Sequence, residues 1–248
     1  ALQKESHPAE TRFVPGLFLN PRALAAASCL GVAVFLSIVF ALHMAQPGHD
    51  PRAQFISELA LGAWGAWMMA AFAGLSLAAT ATALNLHANA ESRFLSALPS
   101  VFLGLAAVLF LAAGFVTLAV SAPAHVALIA CAFVACGLAM YLLPRVVAVF
   151  SGAGAHAFSW GSGLVMCAAV ALGDRLILPG IAQRIAADAL LFWFLYVARK
   201  LARWCTPISW GETSEPQRWN ERLICRMLGF ASLTPTYTNC VESGFLHD

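Results

Sequence analysis

LPSVFLGLAAVLFLAAGFVTLAV, residues 98–120, is the stretch on which the fold of this chain turns. It holds no charged side chain, and about 20 apolar residues in a helix cross the hydrocarbon core of a bilayer. In lipid such a segment must satisfy its own backbone N–H and C=O groups, which a helix does. Five further stretches read the same way: 23–44, 61–84, 123–143, 157–178 and 181–202. Punctuation between them agrees. Asn20 before Pro21 is a helix start, a capping side chain followed by proline in the first turn. Pro47-Gly48 ends the first span, Ser121-Ala122-Pro123-Ala124 predicts a tight turn, and Pro144 and Pro179-Gly180 close the fourth and fifth. The expected fold is an all-α bundle of about six transmembrane helices.

Composition supports lipid as the solvent. Sixty per cent of residues are hydrophobic and 10% charged, against about 25% charged in an ordinary soluble domain. A net charge of +2 with no basic patch excludes nucleic acid as a partner. Cys29, Cys131, Cys136 and Cys167 sit in apolar runs and read as small hydrophobes. Cys205, Cys225 and Cys240 fall in the C-terminal tail. No CxxC is present, so no local zinc or redox pair is expected, nor any cofactor. The first 20 residues are polar and do not resemble a signal peptide. The predicted organisation is a cytoplasmic segment 1–22, a membrane domain 23–204 and a cytoplasmic tail 205–248.

Orientation follows from the basic residues, which favour the cytoplasmic side. With the N-terminus inside, the inner segments hold Lys4, Arg12, Arg22, Arg93, Arg145, Arg199, Lys200, Arg203, Arg218, Arg222 and Arg226. The outer loops hold Arg52, Arg175 and Arg184. Eleven against three, accounting for all 14 Lys and Arg, predicts both termini inside. The expected location is a bacterial inner membrane.

Polar chemistry gathers on the predicted outer side. Asp50-Pro51 is a helix-start signal, and a helix from there would run straight into span two as a short outer interfacial helix. Asp50, Gln54, Ser57 and Glu58 would share one of its faces. His43, His49, His125, Asp174, Arg175, Gln183 and Arg184 lie on the same side. The candidate cluster is Asp50, Ser57, Glu58, His125, Asp174, Arg175 and Arg184. Two histidines with a carboxylate can hold a divalent metal; arginines can receive a lipid phosphate; or the acids and arginines simply pair with one another. HExxH and HxxxH are both absent, and no metal is assigned. Mid-membrane ionisable residues, which an ion path would need, are few.

Asp50-Pro51 followed by the run Gln54-Phe55-Ile56-Ser57-Glu58-Leu59-Ala60-Leu61-Gly62, with Trp64 and Trp67 opening the next span, resembles the signature of the DUF998 membrane proteins. His125 and the run from Gln183-Arg184 through Trp193 to Arg199 are similar to that family's fourth and last spans. The resemblance covers about residues 25–204. It implies the membrane bundle and gives no reaction. Relatives often carry an acid just before the fourth-span histidine, where this chain has Val120-Ser121-Ala122-Pro123.

The sequence therefore predicts an accessory or structural subunit whose partners are membrane lipids and other membrane proteins. A membrane-embedded enzyme or lipid-binding protein using the outer cluster is the alternative, and a small transporter ranks below both. In the tail, residues 215–230 have helical amphipathic spacing, with Trp219, Leu223, Met227 and Phe230 on one face. Such a face suits a membrane surface or a partner.

Overall fold

A computed structural model describes residues 20–88 and 94–204. Among these, six α-helices follow one another: α1 Pro21–Ala45, α2 Trp67–Ala88, α3 Phe94–Phe115, α4 Leu118–Val146, α5 Ala153–Leu176 and α6 Pro179–Trp204. Short 3₁₀ turns at Ile56–Leu61 and Ala148–Phe150 complete the elements, and no strand occurs among the described residues. All six helices are long and apolar enough to cross a membrane. Asn20 caps α1 as expected, its side chain accepting from the Arg22 N–H at 3.0 Å.

The helices pack as a closed ring. Each touches the next in sequence, α6 returns to α1, and α2 also reaches α6. Cross-helix hydrogen bonds sort the helix termini into two ends. At one, His43 near the end of α1 meets Arg184 near the start of α6, and His125 at the start of α4 meets the end of α3. This is the loop end, where the 46–66 connection lies. At the other, Asn85 late in α2 donates to the Pro21 carbonyl at the start of α1, and Lys200 late in α6 donates to Val149 between α4 and α5. This second end carries Arg22, Arg145, Arg199, Lys200 and Arg203 and is called the basic end.

Small residues let α1 and α2 cross closely. A Cβ on Gly31 would lie 2.4 Å from the Gly74 carbonyl oxygen and 2.7 Å from the Ala78 nitrogen. One turn along, Ser28 and Thr82 hydroxyls lie 3.0 Å apart. Thr82 spends its proton on the Ala78 carbonyl, so Ser28 is the donor to Thr82. Small residues at a crossing are a usual means of joining helices in lipid, where no hydrophobic force drives them together. Trp193, Phe110, Phe194 and Met140 fill the interior, and Trp193 donates to the buried Ser159 hydroxyl at 3.1 Å. Large apolar side chains also cover the exterior: Phe40, Val101, Val108, Leu164 and Phe192 stand more than 60% exposed. Water would not tolerate such a surface; lipid does.

Three expectations need correction. Residues 50–59 do not form a helix that runs into span two. Asp50 accepts from the Arg52 N–H, and the Gln54 N–H donates to the Asp50 carbonyl, closing one isolated turn. Phe55 is extended, the 3₁₀ turn follows, and α2 begins only at Trp67. Asp50, Gln54, Ser57 and Glu58 therefore share no helix face. Second, the tight turn sits at Val116–Thr117 rather than at 121–124. Ser121 is extended inside α4, and its hydroxyl accepts from the Ala124 N–H at 3.4 Å. It thus caps the main body of the helix, with Pro123 in the first turn, where a missing N–H costs nothing. Third, Pro179 opens α6 instead of closing α5. The segment 1–19 and the tail, including residues 215–230, lie outside the described residues.

Candidate functional site

The polar groups at the loop end are organised by the first turn of α6. Gly180 presses against the 46–66 connection: a Cβ there would fall 2.4 Å from the Gln54 carbonyl oxygen and 2.7 Å from those of Pro51 and Arg52. With no side chain in the way, the Ile181 N–H, one of the unpaired donors at a helix start, donates to the Arg52 carbonyl at 3.2 Å. One turn on, Arg184 donates through Nη1 to the Gln54 carbonyl at 3.0 Å and the Gly180 carbonyl at 2.9 Å. Its Nη2 lies 2.8 Å from His43 Nε2. Gln183 accepts from the Ile56 N–H. Two side chains and one backbone N–H of α6 thus hold the connection against the bundle.

A guanidinium only donates, so His43 Nε2 must accept, and its proton sits on Nδ1, which donates to the Val39 carbonyl at 2.7 Å. Both ring nitrogens are committed, leaving neither for a metal. His49 packs edge-on against His43, centroids 5.0 Å apart, and donates through Nε2 to the Phe55 carbonyl at 3.1 Å. Gln46 donates to the Leu59 carbonyl at 3.1 Å. Among the described residues no three of His, Cys, Asp and Glu cluster as a metal-binding group.

The other expected members make no hydrogen bond to Arg184, although the Asp50 charge acts on it. Glu58 accepts from the Phe55 N–H at 3.0 Å, capping the 3₁₀ turn. Asp50 is exposed and holds its own turn. His125 is 2% exposed and donates through Nδ1 to the Ala113 and Val116 carbonyls, at 3.1 and 2.8 Å. It closes the last turn of α3, whose carbonyls would otherwise lack partners. Its Nε2 is buried without a partner beside Phe72. No hydrogen bond joins Glu58, His125 and Arg184 to one another. Ser57 is buried and lines a cavity of about 30 Å³ with Gln183, Phe35, Phe72, Phe110 and Phe133. That is room for a water or two. Arg175 is exposed in the last turn of α5, and Asp174 precedes it there.

Gly180, in the sequence only part of a Pro-Gly stop signal, and Gln46 are contact residues that the sequence does not single out. A glycine in the first turn of a helix was the available sign of a close backbone approach.

A family model described as "Protein of unknown function (DUF998)" matches residues 29–200, more than half of the chain. No curated protein and no solved structure matches it.

Proposed function

The chain belongs to the DUF998 family of membrane proteins, and from that premise we propose that it is a non-catalytic packing module, an accessory subunit that associates with other proteins in the bilayer. One observation carries this reading: the guanidinium and amide groups in the first turns of α6 close on the protein itself, although His49 Nδ1 and His125 Nε2 at the same end are buried without a partner. Arg184 is spent on two backbone carbonyls and His43, and Gln183 on the Ile56 N–H. A site that bound a substrate would hold some of these donors open. The basic asymmetry supports a loop end outside the cell and termini inside, in a bacterial inner membrane. Six sequential helices, each running back along the last, place residues 20 and 204 at the same end, as that topology requires.

The peripheral helix α5, with only 17% of its apolar stretch buried against 56% for α2, offers a partner a face in the bilayer, and the tail, with its amphipathic spacing over 215–230, is the contact that holds the partner. The test is purification of the tagged chain from native membranes in mild detergent, with the mass of the particle measured. The accessory reading expects a fixed-stoichiometry assembly with another membrane protein, broken by deleting residues 209–248 while the truncated chain stays in the membrane. A chain that runs alone, with a lipid-ester hydrolysis that Arg184→Gln abolishes, would replace this reading with the enzyme.

A further inference from the structure

At the basic end, the last turns of α4 and the first turns of α5 build a second cluster, remote from the loop end. Tyr141 and Arg145 stand one helical turn apart on α4, His156 and Trp160 one turn apart on α5. Arg145 lays its guanidinium over Tyr141, with Cζ 3.8 Å from the ring centroid and 4.8 Å from that of Trp160. The two rings are stacked at 5.8 Å and 24°. Trp160 is fixed by its indole N–H, which donates to the Tyr141 carbonyl at 3.1 Å. His156 braces the indole edge-on at 5.3 Å and is itself held by an Nδ1–H bond to the Gly152 carbonyl at 3.2 Å. Tyr141, Arg145 and Trp160 are all exposed.

A guanidinium meets an aromatic ring with its face and an anion with its in-plane N–H edge. Here the face is occupied, while no hydrogen bond or ion pair within the described residues claims the edge. Among the described residues no carboxylate pairs with it. The described acids are Asp50, Glu58, Asp174 and Asp188, and all four lie toward the loop end. The rings also set a depth, because exposed Trp and Tyr at helix ends sit at the headgroup level. Below them on the same faces run Leu138 and Val134 of α4 and Leu164 of α5, 41%, 60% and 71% exposed, an apolar track suited to an acyl chain.

We propose that Arg145, held on Tyr141 and Trp160, binds the phosphate of an anionic phospholipid whose chain lies along Leu138, Val134 and Leu164. The apolar track favours a lipid over free phosphate as the source of the anion. Fixing the guanidinium beforehand removes the rotamer entropy that an unrestrained arginine would lose on binding.

The test is native mass spectrometry of the delipidated full chain in neutral detergent, offered phosphatidylglycerol, phosphatidylcholine or inorganic phosphate. The wild type should retain phosphatidylglycerol about tenfold more strongly than phosphatidylcholine, the scale of a hydrogen bond to a charged group. Arg145→Gln should lose that preference, Arg145→Lys should keep part of it, and Arg199→Gln at the same end should change it by no more than about twofold. Circular dichroism on each variant checks that it is folded. A preference that survives Arg145→Gln in folded protein overturns the proposal. So does Arg145-dependent binding of inorganic phosphate with no preference between the two lipids.

Discussion

Arg184 joins three segments that are distant in sequence: α6, the 46–66 connection and the end of α1. Removing it strands the Gln54 carbonyl and the His43 Nε2 lone pair at a partly buried site. Arg184→Ala should therefore cost about 1–3 kcal/mol of stability. Arg184→Lys should recover little, since an ammonium cannot reproduce the fork. In detergent unfolding, Arg184→Ala and His43→Ala should be non-additive by more than about 0.5 kcal/mol; additive losses would mean that the 2.8 Å contact carries no energy. Part of this was legible in the sequence. His43, His49 and Arg184 were expected on one side and do meet. Glu58 and His125, expected on that same side, bond to the Phe55 N–H and to the end of α3. Residue type and membrane side are written in a sequence; which backbone group a side chain will satisfy depends on helix ends that only the packed bundle creates.

The six spans were legible at the element scale because length and lack of charge suffice to define a helix in lipid. The 50–59 segment was misread for a physical reason. Its helix-start signal is genuine, but the first two turns of α6 claim the Arg52 and Gln54 carbonyls, and Gln183 claims the Ile56 N–H. Tertiary bonds outcompeted local propensity. The cluster at the basic end was not read from the sequence, because its two i, i+4 pairs lie on different helices and no single-helix pattern joins them. Two glycines test the packing at this scale. Gly31→Ala would push a methyl into the Gly74 backbone and Gly180→Ala into three loop carbonyls, so each should cost about 1–3 kcal/mol. Gly104→Ala, which meets nothing within 4 Å, should be neutral or slightly stabilising, since alanine is the better helix former. Equal thermal midpoints for all three variants would show that the close crossings are not as described.

For the whole molecule, two unlike ends explain the sequence best. One end is capped by a folded connection and carries the described acids; the other is basic and bordered by exposed Tyr141 and Trp160. Trp64 and Trp67, 57% and 59% exposed, border the capped end in the same way, so the apolar belt between the two levels is the stretch that lipid covers. Gly48 and Gly152 lie at opposite ends, and a Cβ on either meets nothing within 4 Å, so a cysteine fits both places without strain. With the seven native cysteines replaced by alanine, Gly48→Cys should react with a membrane-impermeant maleimide in intact cells, and Gly152→Cys only after permeabilisation. Labelling of both from the same side, or of Gly152→Cys alone in intact cells, would contradict the account.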